Sequence, residues 1–513
     1  MRKKKMGFVS LVGAGPGDQG LITVKGYQRL QEAEVVVYDN LVNPILLTTA
    51  SFRAEKIFVG KMGSRHILEQ SEIDKIVIEK ARQGKKVVRL KGGDPYIFGR
   101  GGEEASALKS QDIPFEIVPG VTSSVAVPAY AGIPLTHRDY AATVAFVTGH
   151  ENPQKPESLI DWMALSKMNT LVFLMGVTYL KEVTRRLIEC GRSPTTPVAI
   201  IQQGTVPTQK TVVGSLGDIA QRAEEEDIRP PSIIVIGEVV RFRDALNWFE
   251  TRPLFGKRVL VMRSRRQLGE LTTLFHEAGA QIVEIPMLEI LPPRSYRALD
   301  QVLKRLGQYD WILFTSVNGV QAFMDRLQGQ KRDIRDLKGV KIATIGLSTR
   351  QAVEGYHLRV ALVARESTAE GLVKILGRQV KGKKVLIPRA AEGREILVAG
   401  LRKQGARVSD IEVYRSRLPK KSKERLQDLF RSDTEVPHWV VFTSSLMVHR
   451  FMKVLGGGRA KEGARFKDIH FAAIGPVTRK TVVNYGLKVH VVPSRATLKA
   501  LVQEIVVFEK KSV

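Results

Sequence analysis

The sequence predicts an α/β chain built in two unlike parts, and three observations carry that expectation. Up to about residue 240, short Val/Ile-rich runs alternate with amphipathic runs, the pattern of strands feeding helices. From Gly256 onward the chain repeats itself at a spacing near 128 residues. Between residues 90 and 104, five glycines, two cations and three carboxylates share fifteen positions. Glycines at that density in an ordered chain mark backbone that passes close to a ligand.

In order along the first part, strands are expected at 8–12, 35–38, 86–90, 115–118, 143–148, 170–175, 197–202 and 232–236. Each is a short apolar run bounded by turn residues. Helices are expected at 21–33, 72–83, 103–110 and 179–190, where the apolar residues recur at helical spacing. The pattern stops near Val240, and the stretch 246–255 is expected to be a linker. Beyond it, GKRVLVMRS at Gly256 recurs as GKKVLIPRA at Gly382, DWILFTSVNGV at Asp310 as HWVVFTSSLMV at His438, and KIATIGLSTRQAV at Lys341 as HFAAIGPVTRKTV at His470. The offsets are 126, 128 and 129. Constant spacing with one element order indicates a duplicated α/β unit, hence two similar lobes with a cleft for a small molecule between them.

Composition sets limits. With 513 residues the chain holds about three or four domains by the usual length prior. The 43% hydrophobic and 26% charged content is that of a globular protein, and no run reaches the roughly 18 apolar residues of a membrane span. The basic start, Met1 to Lys5, is followed by too short an apolar run and no cleavage region, so it is expected to be an overhang on the first strand. The single cysteine, Cys190, excludes an intrachain disulfide framework and a multi-cysteine metal site, and suits the cytoplasm. The formal charge of +28 is compatible with nucleic acid, yet zinc-finger spacing, RNP-like aromatic runs and long Lys/Arg blocks are all missing. A scattered cationic excess equally suits steering of a polyanionic small molecule.

Gly15 to Gly20, GPGDQG, matches G-x-G-x-x-G between a strand and a helix, with Asp39 about twenty residues on, which is the outline of a dinucleotide site. Pro16 stiffens the turn at which pyrophosphate would approach, so a nicotinamide-dependent dehydrogenase is a rival rather than the favoured reading. The wider series decides against it. GAGPGD at 13–18, GLITVKG at 20–26, VYD ending at Asp39, VGK ending at Lys61, KGGDPYIFGRGGEE at 91–104, PGVTSS at 119–124, LVFLMGV at 171–177 and IQQGT at 201–205 stand in order. Together they resemble the tetrapyrrole methylases, and closely the uroporphyrinogen-III C-methyltransferases.

That resemblance implies a two-lobed methylase fold, S-adenosylmethionine as methyl donor, and a homodimer. Donor contacts carried over by position are Pro16, Gly92, Gly93, Asp94, Ile97, Thr122, Ser123, Met175 and Gly204. Asp39 becomes the proton acceptor and Lys61 the proton donor. On residues alone, Asp39 reads as a strand-end turn residue, Lys61 as a solvated charge and Met175 as core. The substrate implied is an octa-carboxylate macrocycle, for which Arg100 and Arg138 are the expected cations and Glu103 the partner of its pyrrole nitrogens; arginine's planar fork pairs carboxylates well.

The duplicated region, 256–513, resembles uroporphyrinogen-III synthase through VVFTSS at 440–445, DIEVYRS at 410–416 and the run from Phe471. The resemblance implies two flavodoxin-like lobes, 256–288 with 418–513 and 289–417. Tyr414 is then the group that assists loss of hydroxyl from hydroxymethylbilane, and Thr443, Ser444, Gly475 and Thr478 present donors to substrate carboxylates. For Thr443 and Ser444, strand-end capping is the competing reading. In the first copy Ser316 falls at the place of Ser444, and Ser348 within the segment matching Gly475 to Thr478. The whole chain is thus expected to make uroporphyrinogen III and methylate it twice to precorrin-2, with no metal site.

Overall fold

A computed structural model describes residues 6–51, 53–60, 68–149, 159–262, 268–366, 368–391, 395–431, 436–456 and 466–511. Lys61 lies outside the described residues. The chain divides into two compact units, the first formed by residues up to Lys257 with Phe275–Gln281 and the chain from Glu509, the second by Arg258–Leu274 and Ile282–Phe508.

The first unit holds two sheets. Strands β1 (Phe8–Gly13), β2 (Val35–Tyr38), β3 (Glu55–Phe58), β4 (Lys86–Lys91) and β5 (Phe115–Val118) form one sheet in the order β3-β2-β4-β1-β5, every pair parallel. A parallel sheet is covered on both faces, so its strands read as nearly continuous apolar runs. Val9, Leu11, Val35 and Val37 accordingly pack into one core, and Val12, Val36, Val88 and Leu90 into another. Strands β6 (Val144–Thr148), β7 (Thr170–Leu174), β8 (Pro197–Gln202), β9 (Lys210–Ser215) and β10 (Ser232–Ile236) form a second sheet, β6-β7-β10-β8-β9. Here β10 runs antiparallel to both β7 and β8, so β6, β7 and β8 share a direction and their carboxyl ends share one edge.

The eight expected strands are present, four of them with the expected limits. Two further strands, β3 and β9, lie at sheet edges beyond those the sequence predicts; their sequences, EKIF and KTVVGS, are short and carry charge or glycine, as edges without a doubly buried face do. The helix Ser123–Tyr130 also escaped, because it is apolar on most sides and contains Pro128. The segment 246–255, expected to be a linker, packs on this unit instead. Phe249 is 1% exposed, Tyr130 lies edge-on to Trp248 and Phe249, Trp248 Nε1 donates to the Ala129 carbonyl at 3.0 Å, and Glu250 pairs with Arg243. Its aromatic pair is what a free linker would lack.

In the second unit, β11 (Arg258–Val261), β12 (Gln281–Glu284), β19 (Trp439–Phe442) and β20 (His470–Ala473) form a four-stranded sheet, β12-β11-β19-β20. Residues between Glu289 and Arg417 form the other sheet from β13 (Glu289–Leu291), β14 (Trp311–Phe314), β15 (Lys341–Thr344), β16 (Leu362–Val363), β17 (Lys384–Ala390) and β18 (Arg407–Arg417). Its order is β13-β18-β17-β14-β15-β16. The stretch β18-β17-β14-β15 repeats β12-β11-β19-β20 element for element. Even the bridge from Ala472 to Val491 matches the pairing of Ala343 with Leu362. The sequence repeat is therefore a repeat of topology.

One doubly paired carboxylate steadies the edge strand that leads into the site. Glu116 on β5 accepts from Ser10 Oγ at 3.0 Å and pairs with Lys25 at 2.7 Å and with Arg29. Burial would raise this carboxyl, but the hydrogen bonds from Arg29, Lys25 and Ser10 outweigh it and hold it at about 2. A carboxyl depressed on folding stabilises above its unfolded value and loses that contribution as the pH falls through its folded value. Thermal unfolding should therefore show wild type more stable than Glu116→Gln at neutral pH, with the gap closing as the pH falls below 4.5 towards 2.

Candidate functional site

The loops after β1, β4 and β5 converge at the carboxyl edge of the parallel sheet, where α/β folds bind ligands. Gly15 and Gly93 form a two-way backbone bridge, Gly93 N to Gly15 O at 2.7 Å and Gly15 N to Gly93 O at 3.2 Å. Gly93 sits at φ +67°, open to left-handed backbone, and even a Cβ there would find only the Ser123 N at 3.8 Å and Thr122 Cα at 4.0 Å. Gly120 is constrained by space: a Cβ on it would lie 2.2 Å from the Gly93 oxygen and 2.7 Å from Gly13 Cα. Asp94 locks the arrangement, accepting from Tyr96 N at 2.7 Å and Ile97 N at 3.2 Å with one oxygen and from Gly120 N at 2.9 Å with the other. Its carboxylate thus shapes the loops.

Thr122 caps the helix Ser123–Tyr130, accepting from Ser124 N at 3.3 Å, and so aims that helix's amino end beside Gly93. The second sheet contributes the loops after β7 and β8. Asp18 N donates to Thr205 Oγ1 at 3.0 Å and Tyr130 Oη donates to Asp18 Oδ2 at 2.8 Å, so the GPGDQG loop is tied to the loop holding Gly204. Burial, followed by the Asp18 carboxylate, pushes the Tyr130 hydroxyl far above its ordinary range. Non-glycine residues in left-handed backbone gather here: Phe98, Arg100, Met175, Gln203 and Thr205. Such conformations are costly and concentrate at ligand sites. Ile97, on the turn held by Asp94, is 37% exposed, and Met175, directly after β7, is 51% exposed, unusual for apolar side chains beside a buried sheet.

Of the residues expected from sequence, Pro16, Gly92, Gly93, Asp94, Thr122, Ser123 and Gly204 fall on these joined loops, with Ile97 on the turn held by Asp94. Asp39 follows β2, its Oδ1 accepting from Leu41 N at 3.1 Å, and Leu41 abuts Gly92. Met175 stands at the end of β7. Arg100 and Glu103 are exposed and paired with each other, Arg100 Nε to Glu103 Oε1 at 3.0 Å. That bond raises the guanidinium and lowers the carboxyl from their ordinary values. Arg138 is exposed at the tip of the His137–Ala141 turn and makes no ion pair among the described residues. Sequence reasoning missed the enclosed ions behind Asp39: Arg89, Lys91 and Glu104, 4%, 5% and 4% exposed. The signal was present, since Arg89 and Lys91 alternate with Leu90 inside an apolar strand.

In the second unit, β14 and β19 are each followed two residues later by a serine that opens a helix. Ser316 caps Val317–Gly329, accepting from Gly319 N at 3.0 Å. Ser444, in the matching position before Ser445–Leu455, makes no side-chain cap bond, so its hydroxyl is not spent there. Gly475 precedes the helix Pro476–Asn484, and Thr478 on that helix is 5% exposed. Thr443 is half-buried beside Ser444, and Ser348 lies in the helix Leu347–Glu354. Tyr414 is 8% exposed on β18 with Oη 3.1 Å from Ser316 Oγ. Among the described residues no group of His, Cys, Asp or Glu is placed to hold a metal ion, and no helix is long and apolar enough to cross a membrane.

A glycine-lined cleft in the first unit and a duplicated α/β module in the second make this a chain of two unlike parts, each with loops gathered at strand ends where α/β proteins bind small molecules. Residues 9–220 match the Tetrapyrrole (Corrin/Porphyrin) Methylases, and residues 269–503 match Uroporphyrinogen-III synthase HemD. The Porphyrin biosynthesis protein HemD of Ruminiclostridium josui is 36% identical over 97% of both chains. The Uroporphyrinogen-III C-methyltransferase of Bacillus subtilis is 44% identical over 65% of this chain and 68% of its own. The S-adenosyl-L-methionine-dependent uroporphyrinogen III methyltransferase of Methanosarcina barkeri is 51% identical over 47% of this chain and 94% of its own. The chain belongs to the family in which a uroporphyrinogen-III C-methyltransferase is fused to a uroporphyrinogen-III synthase.

The glycine contacts give a direct test. Gly120→Ala should lower stability by about 1–3 kcal/mol, the usual cost of overpacking. Gly102→Ala, in a helix with nothing within 4 Å, should be neutral or stabilising by up to about 1 kcal/mol. Calorimetric unfolding of the two variants checks both.

Proposed function

We propose that this chain performs two successive steps: the second part closes hydroxymethylbilane to uroporphyrinogen III with loss of water, and the first methylates that product twice to precorrin-2, for siroheme or cobalamin. The observation that carries the reading is the bare main chain of Gly15, Gly93 and Gly120 beside a helix amino end and Asp39. S-adenosylmethionine, when bound, supplies a methyl group already activated on sulfonium. The residues present fit that donor: Gly92, Gly93, Thr122, Ser123 and Gly204 offer backbone and hydroxyl groups to its polar parts. Pro16, Ile97 and Met175 offer apolar surface, and Asp94 keeps the loops in shape.

For the chemistry, the cleft has to hold an electron-rich pyrrole carbon in line with the methyl group, a positioning task. Asp39 accepts a proton as ring electrons redistribute, and Lys61 donates one. Arg138 and Arg100 meet carboxylates of the macrocycle, with Glu103 turning from Arg100 to the pyrrole nitrogens. The +28 charge draws both polyanionic substrates. The methyltransferase is assigned to residues 1–245 with the packed segment that follows, and the synthase to 256–513, its lobes being 256–288 with 418–513, and 289–417. In the synthase, Thr443, Ser444, Gly475 and Thr478 hold substrate carboxylates while Tyr414, relayed from Ser316, assists departure of hydroxyl. The working form is a cytoplasmic homodimer joined through the methyltransferase.

A coupled assay reading ring closure and methyl transfer separately tests all of this. Wild type should convert hydroxymethylbilane and S-adenosylmethionine to a dimethylated dipyrrocorphin. Asp39→Asn should cut methyl transfer by about 100-fold or more, and Arg100→Ala should raise KM for uroporphyrinogen III, with cyclisation intact in both. Tyr414→Phe should slow cyclisation by about tenfold, the worth of one hydrogen bond. Absence of methyl transfer to uroporphyrinogen III would overturn the first assignment; methyl transfer without cyclisation would leave the second part a binding or regulatory module.

A further inference from the structure

Behind Asp39 lies a group of enclosed charges that the chemistry above leaves unused. Arg89 and Lys91 stand two residues apart on β4, so their side chains leave the same face of the sheet. Glu104, from the helix Gly101–Ser110, meets them there. Its Oε1 accepts from Lys91 Nζ at 2.7 Å, from Gln70 Nε2 at 3.1 Å and from Arg89 Nε at 3.3 Å. The far end of the same guanidinium reaches Asp39, with Nη1 and Nη2 each 3.4 Å from Oδ2. Glu104 Oε2 is buried with no hydrogen-bond partner, and Glu104 and Asp74 line a small cavity with Val77 and Leu108.

The balance of charge shows what the group can do. Two enclosed cations face one enclosed anion, and Asp39 meets the surplus. Asp74, on the helix Gln70–Arg82, is drawn above its ordinary range by burial, against a hydrogen bond from Gln70. Burial, then the Arg89 charge, draw the Lys91 ammonium below its ordinary range, with Glu104 opposing. On the outer side Arg100 and Glu103 add one charge of each sign and neutralise each other. Arg89 is thus shared between two carboxylates, and whatever changes the hold of one alters its hold on the other. Burying three ions is unfavourable unless each is well paired, and here the pairing leads to the carboxylate assigned to proton transfer.

We propose that Glu104 and Lys91 are positioning residues for methyl transfer, acting through Arg89 to set the orientation of the Asp39 carboxylate and the potential it experiences. The inference rests on the methyltransferase reading with Asp39 as proton acceptor. The two residues act in opposite senses. Loss of the Glu104 charge leaves two cations facing Asp39 and favours its charged form. Loss of the Lys91 charge gives Arg89 over to Glu104 and disfavours it.

The test is the pH dependence of kcat/KM for methyl transfer to uroporphyrinogen III in the full chain, for wild type, Glu104→Gln, Lys91→Met and the double variant. Titration of the substrate's own carboxyls is common to all four and cancels in the comparison. The acid limb should move down by about half a pH unit in Glu104→Gln and up by about the same in Lys91→Met, returning in the double variant. Calorimetric unfolding reports whether each variant folds. Should Lys91→Met fail to fold, the near-isosteric Glu104→Gln decides alone. An acid limb that stays put or rises in Glu104→Gln, or moves the same way in both single variants, overturns the proposal. A wild type that transfers no methyl group overturns the underlying reading instead, a result distinct from an active wild type with unshifted variants.

Discussion

The first unit is organised by one steric constraint, the approach of three backbone segments at Gly13, Gly93 and Gly120. A single methyl group on Gly120 would collide with the Gly93 carbonyl, and one on Gly13 with the Gly120 backbone, so the loops after β1, β4 and β5 can meet only while Gly13 and Gly120 stay bare. The Asp94 carboxylate then bonds both its own turn and Gly120, converting contact into a fixed shape. A ligand entering there meets peptide N–H and C=O groups, while side chains reach it from the rim. Several of those rim residues hold left-handed backbone, so their directions are set by the surrounding loops and not by local preference.

Charge in this unit is divided between two environments. Arg100 and Glu103 lie in the open, where an exposed pair contributes little to stability and yields readily to a competing carboxylate. Arg89, Lys91 and Glu104 lie inside, where an unpaired ion would be severely unfavourable and the partners are therefore specified tightly. The contrast separates cations available to a substrate from cations committed to the scaffold. Asp39 stands at the boundary, half within each set.

The second unit reaches its form by repeating a strand order, and the repeat is not exact in chemistry. Ser316 satisfies its helix with its own hydroxyl, whereas Ser444, at the same place in the other copy, does not. Duplication thus supplies two similar helix amino ends, of which one is occupied by local structure and the other keeps its hydroxyl for other partners. Tyr414, buried on the longest strand with its hydroxyl on Ser316, ties the occupied end to the strand that pairs with Glu289–Leu291.

By itself, the sequence determined the α/β class, eight strands of the first part, the edge strands β5 and β6 among them, the duplicated unit and the position of the glycine loops. Those features rest on periodicity and on residue types whose backbone freedom is local, and both are legible one segment at a time. Tertiary structure decided what depends on neighbours distant along the chain. The edge strands β3 and β9 exist because a sheet was already there to pair with. Residues 246–255 became part of the first unit because Tyr130 and Arg243 offered partners for Phe249, Trp248 and Glu250. The enclosed ions behind Asp39 could be assembled only by bringing β2, β4 and two helices together, since the pairing of a buried charge is a property of the packed interior and not of any one segment.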